Sequence, residues 1–378
     1  MSERYVGAWV TDGGFNPLVA PTPSYTLGLL SWGNSSQGQL GLGNINNYSS
    51  PKQVGSLTNW LSISAGYYFA TAIKTDGTLW SWGQNNFGQL GLGNTTNYSS
   101  PKQIGSLTTW SQSGGGNYHA LAVKTDGTLW AWGFNPYGAL GLGNTTSYSS
   151  PKQVGALTNW KNIAAGFYNS FAVKTDGTLW SWGYNGSGQL GNGTYTNYWS
   201  SPKQVGALTN WATISINHSG STTIASKTDG TLWAWGANTY GGLGLGNTTN
   251  YSSPVQVGSL TNWLIVSAGK YHTLATKTDG TLWSWGSNSL GQLGLGNTTN
   301  YSSPKQIGAL NTWSKISSGI ITSLAINSSG NLWAWGKNNK GQLGTGSITN
   351  YSSPKQIGSL TNWLSVTSGQ YFSIALAY

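Results

Sequence analysis

Thr75-Asp-Gly-Thr-Leu-Trp-Ser-Trp-Gly83 is the stretch that decides the fold, because near copies of it recur along the chain at almost constant spacing. The Trp of its Trp-Gly end recurs every 50 residues, with one interval of 53, at Trp32, Trp82, Trp132, Trp182, Trp235, Trp285 and Trp335. A repeat period of this size is typical of solenoids, propellers and other arrays. The architecture is therefore set by the repeat, before any site is considered.

Each unit consists of short apolar stretches rich in Ile, Val, Thr, Trp and Tyr, separated by Gly, Asn, Asp, Ser and Pro. This composition predicts strands joined by turns. Residues 60–66, 68–74 and 78–83 predict three strands, and residues 102–104 predict a short outer fourth. No window shows a sustained apolar period of 3.6, so no long helix is expected. The class is all-β.

Two local details support this reading of the unit. Asp76-Gly77 lies between two predicted strands and indicates a tight hairpin, because glycine reaches positive φ without steric cost. Side chains alternate between the faces of a strand, so Trp80 and Trp82 lie on the same face. We expect most of the 22 tryptophans to be core residues, since each is large and in register with the repeat.

The chain ends favour a closed ring over an open stack, which would leave sheet edges bare. The first unit, residues 29–32, lacks the two strands that precede Trp-Gly elsewhere. The last unit stops after supplying two such strands, residues 363–368 and 371–377. Together they make one blade. The prediction is a seven-bladed β-propeller over residues 28–378, closed by a composite blade of N- and C-terminal strands, with residues 1–27 as an extended arm.

The unit also resembles a known family. Ser64-Ala65-Gly66 is followed by an aromatic residue or His three positions on, then by residues 75–83, by Asn85-x-x-Gly88-Gln-Leu-Gly91 and by a distal Pro101. This pattern resembles the regulator of chromosome condensation repeat and covers residues 28–378. The resemblance implies a seven-bladed ring with composite closure. It also points to the family's best-known activity, nucleotide exchange on a small nuclear GTPase.

That exchange activity depends on a specialised face and a loop insertion. The units here are nearly uniform, and residues 92–105 are identical to residues 295–308. Neither a wedge insertion in one blade nor a cluster of acidic residues is evident. No functional residue of the family is therefore carried over to this chain.

Composition restricts the classes of partner and site. The net charge of +10 comes from lysines spaced around the ring, mostly one per unit after Ser-Ser-Pro, without the dense basic stripe of a duplex-binding surface. We therefore expect no specific nucleic-acid partner. The chain has no cysteine, which excludes disulfides and thiolate metal sites. We expect neither a signal peptide nor membrane insertion, so the compartment is undetermined, with a virion favoured and the cytoplasm otherwise.

Residues suited to catalysis are scarce. Of seven carboxylate side chains, five are hairpin aspartates, and Glu3 and Asp12 are the others. General acid–base catalysis needs such a group beside a second functional group, which no unit supplies. The histidines at 119, 218 and 272 lie on different units and offer no third metal ligand. The sequence predicts a protein that is not an enzyme, with no catalytic residue, metal or cofactor.

Comparison of the units within the chain shows two variable windows, one after the Ala-Gly turn and one after Trp-Gly. Because strands alternate in direction, both windows lie on one face of the ring, here called the variable face, and the Asp-Gly hairpins lie on the other. Loops on one face of a rigid scaffold are common recognition sites, although tolerance of drift is an equal alternative. The candidate partner-binding residues are Tyr67, Phe87, Tyr118, His119, Phe134, Tyr137, Phe167, Tyr184, Tyr240, Tyr271, His272, Lys337 and Lys340.

The arm is a separate candidate site. Residues 5–10 can form a lone strand, which is poorly stable in water unless it is paired or packed. We expect Tyr5, Val6, Trp9 and Val10 to anchor the protein to another chain by strand addition. Packing of the arm on its own propeller is the alternative.

These features favour a non-enzymatic structural or interaction module that is part of a larger assembly, such as a decoration, fibre or host-surface-binding protein of a bacteriophage virion. This placement rests on analogy. The alternative is a soluble intracellular regulator resembling a guanine-nucleotide exchange factor for a small GTPase. A third hypothesis is that the variable face binds carbohydrate or a host surface.

Overall fold

The computed structural model describes residues 28–195, 197–216 and 221–378. The predicted arm, with Tyr5, Val6, Trp9 and Val10, lies outside the described residues, as does His218. The role of the arm and its boundary at residue 27 therefore stay predictions.

The described residues form twenty-eight β-strands in seven four-stranded antiparallel sheets, which are the seven blades of a propeller. Strands of the first three blades in chain order are β1 (Gly28–Gly33), β2 (Tyr48–Gln53), β3 (Trp60–Ala65), β4 (Phe69–Lys74), β5 (Leu79–Gly83), β6 (Tyr98–Gln103), β7 (Trp110–Gly115), β8 (His119–Lys124), β9 (Leu129–Gly133) and β10 (Tyr148–Gln153). The next two blades contain β11 (Trp160–Ala165), β12 (Asn169–Lys174), β13 (Leu179–Tyr184), β14 (Tyr198–Gln204), β15 (Trp211–Ile216), β16 (Thr222–Lys227), β17 (Leu232–Gly236) and β18 (Tyr251–Gln256).

The remaining strands are β19 (Trp263–Ala268), β20 (His272–Lys277), β21 (Leu282–Gly286), β22 (Tyr301–Gln306), β23 (Trp313–Ser318), β24 (Thr322–Asn327), β25 (Leu332–Gly336), β26 (Tyr351–Gln356), β27 (Trp363–Ser368) and β28 (Phe372–Ala377). Blade 1 has the order β2-β1-β28-β27, and blades 2 to 7 each contain four consecutive strands, from β3–β6 to β23–β26.

Composite closure of the ring is confirmed. Strand β1 pairs antiparallel with β28 over its whole length, from Gly28 opposite Ala377 to Gly33 opposite Phe372. Strand β27 then pairs with β28 on the far side. The C-terminal strands therefore supply the inner half of the blade that the N-terminal strands begin.

The outer strand of each blade differs from the prediction. In blade 2 it begins at Tyr98 and ends at Gln103, before Ile104, whose backbone N–H donates to Leu79 O and whose side chain is buried. Pro101 lies within this strand. A proline is tolerated there because the strand is at the outer edge of the sheet, where no neighbour needs its missing N–H.

The core lies between blades. One buried cluster joins Leu29 and Ile374 of blade 1 to Trp60, Ile63 and Trp82 of blade 2, and similar clusters follow around the ring. The Trp-Gly tryptophans are completely buried, as predicted. Apolar burial between sheets is the main favourable term in such a ring.

A hydrogen bond repeats at each blade boundary. The indole Nε1 of each Trp-Gly tryptophan donates to a backbone carbonyl in the long loop of the preceding blade, at 2.8–2.9 Å. The seven acceptors are the carbonyl groups of Gln39, Gln89, Ala139, Gln189, Gly242, Gln292 and Gln342. Trp32 bonds to Gln342, so this series also closes the ring.

Candidate functional site

Both variable windows lie on one face of the ring because of strand direction. In blade 2 the first window joins β3 to β4, and the second follows β5, so both leave the same end of the antiparallel sheet. Backbone hydrogen bonds link first windows of neighbouring blades, from Tyr67 N to Gly116 O at 3.1 Å and from Asn117 N to Gly166 O at 3.0 Å. Loops held in this way form a fixed platform.

Ten aromatic rings on blades 2 to 4 form one continuous group on the variable face, here called the aromatic cluster. Its members are Tyr67, Tyr68, Phe87, Tyr118, Phe134, Tyr137, Phe167, Tyr168, Tyr184 and Tyr198. Neighbouring ring centroids are 4.0–6.5 Å apart, mostly in tilted or edge-to-face geometry. These separations lie close to the range in which aromatic rings attract one another.

The cluster crosses two blade boundaries. Phe87 of blade 2 lies 4.5 Å from Phe134 of blade 3, and Tyr137 of blade 3 lies 4.8 Å from Tyr168 of blade 4. Phe87 is 37 % exposed and Tyr137 is 36 % exposed. The result is a contiguous aromatic surface, and such surfaces in folded proteins commonly mark interaction sites.

The other side of the variable face carries a smaller aromatic pair and three lysines. Tyr240 and Tyr271, from blades 5 and 6, have ring centroids 4.8 Å apart. Lys270 Nζ lies 4.8 Å from the Tyr271 ring, and Lys337 Nζ lies 5.2 Å from the Tyr371 ring. Lys340 is exposed in the second window of blade 7.

Acidic side chains in the described ranges are confined to one face of the ring. Every carboxylate side chain within the described ranges belongs to a hairpin aspartate on the opposite face, at Asp76, Asp126, Asp176, Asp229 or Asp279. On the variable face, tyrosine phenols are uncharged near neutral pH, and burial raises the pKa of Tyr67, Tyr68, Tyr118 and Tyr168 further. The variable face is therefore apolar in one sector and cationic in another.

The structure brings together seven of the residues singled out from the sequence: Tyr67, Phe87, Tyr118, Phe134, Tyr137, Phe167 and Tyr184 all belong to the aromatic cluster. Tyr240 and Tyr271 form the separate pair, and Lys337 and Lys340 lie in the loop after β25. Whether any of these residues binds a partner stays a prediction.

His119 and His272 require a correction, because both side chains are buried and do not reach the surface of the variable face. Each is the first residue of the second strand of its blade rather than a loop residue. Its Nε2 lies within hydrogen-bonding distance of a serine in the next blade, Ser170 Oγ at 2.8 Å and Ser323 Oγ at 3.0 Å. Burial lowers the pKa of each imidazole to about 4, so both are neutral structural groups.

Sequence reasoning missed three members of the cluster, Tyr68, Tyr168 and Tyr198. A signal for the first two exists, since Tyr recurs as the second residue of the first window in five units. Tyr198 begins the outer strand β14, in the unit that is longer than the others. Its place beside Tyr137 depends on how the blades pack.

In the part of the chain described, histidine and acidic side chains do not cluster. No group of three His, Cys, Asp or Glu side chains there is placed to hold a metal ion. No helix in the same ranges is long and apolar enough to span a membrane. The arrangement on the variable face is a broad surface of contacting aromatic rings.

Models of known protein families match most of the chain. The model of the RCC1-like domain matches residues 14–224, and the model of the regulator of chromosome condensation (RCC1) repeat matches residues 229–276, 279–326 and 329–376. A second model of this repeat matches residues 265–292 and 313–342. No curated protein sequence matches the chain.

Solved structures are similar in fold. Prp20p from Saccharomyces cerevisiae, described with its binding to Gsp1p and histones, has a TM-score of 0.83 at 20 % identity, covering 94 % of this chain and 92 % of that one. Human WBSCR16 has a TM-score of 0.83 at 22 % identity, covering 93 % and 99 %. Kap60-bound yeast RCC1 (Prp20) has the same TM-score at 20 % identity, covering 100 % and 94 %.

Proposed function

Because this chain belongs to the regulator of chromosome condensation repeat family, we propose that it is a non-enzymatic, protein-binding propeller of the regulator type. Its partner binds the variable face, with the aromatic cluster as the main contact. The observation that carries this proposal is the continuity of ten aromatic rings across blades 2 to 4 on a platform fixed by inter-blade hydrogen bonds.

The chemistry of the cluster suits a protein surface. Aromatic residues dominate the energetics of protein interfaces because each ring buries a large area at a small cost in side-chain entropy. Tyrosine also keeps a hydroxyl group for hydrogen bonds at the rim. Seven of the ten cluster residues are tyrosines, and the loops that carry them need not reorganise on binding.

The relatives favour the regulator over the virion component expected from the sequence. Prp20p is described as binding Gsp1p and histones, and Kap60 as bound to Prp20. Protein binding is thus a recorded property of similar propellers, whereas nothing in these relatives supports a virion component or carbohydrate binding. Exchange-factor activity towards a small GTPase is a narrower form of the same proposal.

Site-directed photo-crosslinking tests the location of the partner. We expect a photoreactive phenylalanine analogue at position 87, in the aromatic cluster, to form crosslinks with one protein in cells. The same analogue at Leu310, exposed on the hairpin face, is the matched control. The crosslinked protein is then purified and its affinity measured for Tyr118→Ala and Tyr137→Ala variants. Each of these two substitutions is expected to weaken binding of the partner by roughly 30-fold.

Two results would contradict the proposal. One is a partner that crosslinks equally from both positions or from position 310 alone. The other is unchanged affinity of the purified partner for the two alanine variants. If the partner is a GTPase, release of a fluorescent nucleotide measured with and without this protein decides the narrower form.

A further inference from the structure

The hairpin face carries a repeated cation site that the chain fills with its own lysine. In blade 2, Lys74 Nζ lies 3.8 Å from the Trp80 ring and 5.1 Å from the Trp60 ring, in the corner between them. The same arrangement occurs at Lys124, Lys174, Lys227 and Lys277, with distances of 3.7–3.9 Å and 4.9–5.2 Å. An ammonium group over the face of an indole is stabilised by the quadrupole of the ring.

Blade 7 has the same aromatic corner without a lysine. The rings of Trp313 and Trp333 have centroids 6.1 Å apart at 78°, compared with 6.1 Å and 78° for Trp263 and Trp283 in blade 6. Asn327 occupies the position of Lys277 at the end of the strand. Blade 1 does not repeat this case, because Leu30 replaces the second tryptophan there.

The Asn327 side chain does not replace the lysine. Its Oδ1 accepts a 2.9 Å hydrogen bond from the backbone N–H of Asn331, so the amide is used to hold the hairpin. Hairpin aspartates do this in other blades, as Asp279 Oδ1 does for Thr281 N at 3.0 Å. Within the described part of the chain, no ammonium group lies over Trp313 or Trp333.

A second difference in blade 7 concerns the indole N–H of Trp333. In the five lysine-containing blades this group donates to a threonine hydroxyl at 2.9 Å, as Trp283 Nε1 does to Thr281 Oγ1. Asn331 replaces that threonine, and Trp333 Nε1 is buried without a hydrogen-bond partner. Trp333 itself is partly exposed, whereas Trp313 is buried, so the corner meets solvent on its Trp333 side.

We propose that the Trp313–Trp333 corner of blade 7 binds an alkylammonium group from outside the chain, and that its natural ligand is a lysine side chain of a partner protein. The five other corners show the geometry of the bound state, since each contains a butylammonium group supplied in cis. This site lies on the hairpin face, away from the aromatic cluster, so it is independent of the function proposed above.

Butylammonium is used as the probe for binding at the Trp313–Trp333 corner. The control is 1-butanol, which has a similar shape but no charge. Protein labelled with 5-fluorotryptophan is titrated and followed by fluorine NMR, with signals assigned through Trp313→Phe and Trp333→Phe. We expect saturable shifts of the Trp313 and Trp333 signals with butylammonium and none with 1-butanol.

Two variants use the chain's own repeats as controls. Asn327→Lys with Ser329→Asp and Asn331→Thr gives blade 7 the lysine, aspartate and threonine of the blade 6 hairpin. This triple variant is expected to weaken butylammonium binding at least 10-fold while raising the Tm. Lys277→Asn removes the internal lysine of blade 6 and is expected to add shifts at Trp263 and Trp283. Absence of saturable shifts in the unmodified protein overturns the proposal, as do equal shifts with 1-butanol or undiminished binding by the triple variant.

Discussion

His119 and His272 show how burial sets the chemistry of a single side chain. Each lies at the first position of a second blade strand, where Phe69 and Phe372 occupy the same place in other blades. All four side chains are buried, so the position accepts either a ring that is apolar or one that is neutral and hydrogen-bonded. A protonated imidazole there would be a buried charge, which is costly without a partner.

We expect these two histidines to make the protein less stable as the pH falls from about 6.5 towards 4. Burial lowers the pKa of each from 6.5 to about 4, so over this range the unfolded chain binds more protons than the folded one. The loss of unfolding free energy at pH 4 is on the order of 3 kcal/mol per histidine. Urea unfolding between pH 4 and 7.5 measures it.

The matched control is the double variant His119→Phe, His272→Phe, which introduces the residue found in blades 1 and 2. Its stability should be nearly flat over the same pH range. The hairpin aspartates do not obscure the comparison, because hydrogen bonds from Thr78 lower the pKa of Asp76, and the equivalent carboxylates are lowered likewise, so their effect appears at lower pH. If the free energy of unfolding depends on pH equally in both proteins, the loss of stability does not come from the two histidines.

At the scale of the blade, the outer strands carry residues that disfavour pairing with another sheet. Each outer strand ends the sheet, and in blade 2 it contains Pro101 and Lys102. Proline removes a backbone donor, and lysine disfavours burial against another sheet. The Pro-Lys pair recurs in six of the seven outer strands, and we expect it to disfavour pairing of these edges with other chains.

Blades are joined by the indole-to-carbonyl hydrogen bond, and its contribution can be measured within one chain. Trp132 Nε1 is the side-chain donor to Gln89 O, whereas the carbonyl of Ala139 accepts from both Trp182 Nε1 and Ser170 Oγ. Trp132→Phe therefore leaves a buried carbonyl unpaired, and Trp182→Phe does not. We expect Trp132→Phe to cost about 1–3 kcal/mol more unfolding free energy than Trp182→Phe.

Chemical denaturation of the two variants measures this difference. Both replace an indole by a phenyl ring at equivalent, fully buried positions, so the cost of the cavity is shared and cancels in the comparison. Ser170→Ala combined with Trp182→Phe should then raise the cost beyond that of Trp132→Phe, because it leaves the Ala139 carbonyl unpaired and also removes the hydrogen-bond partner of His119 Nε2. Equal costs for the two single variants would show that the hydrogen bond adds nothing to packing.

At the scale of the molecule, stability depends on closure. We expect deletion of residues 364–378 to abolish cooperative unfolding, because it removes β28 and nearly all of β27, leaving β1 without its inner neighbour. The exposed edge of β1 would promote aggregation. Thermal unfolding and size-exclusion chromatography measure the effect, and a synthetic peptide of residues 360–378 added in trans should restore a soluble monomer. A folded, monomeric truncated protein with an unchanged transition would contradict it.

The sequence by itself determined the number of blades and the way the ring closes. Both follow from local information: the strands are predicted by composition and turn residues, and the blades by counting the Trp-Gly repeats and the incomplete units at the two ends. It also placed both variable windows on one face, since that follows from strand alternation alone.

Tertiary structure alone decided which side chains meet. His119 was predicted to be a partner-binding residue of the variable face, yet it is the first residue of strand β8 and its side chain is buried. A side chain's direction alternates along a strand, so the point at which the loop ends and the strand begins decides which way it points. Tyr198 joins Tyr137, and the lysines at the strand ends lie over tryptophans, through the packing of neighbouring strands and blades. The repeat specifies each blade, but the distances and angles between blades arise only when all seven close the ring.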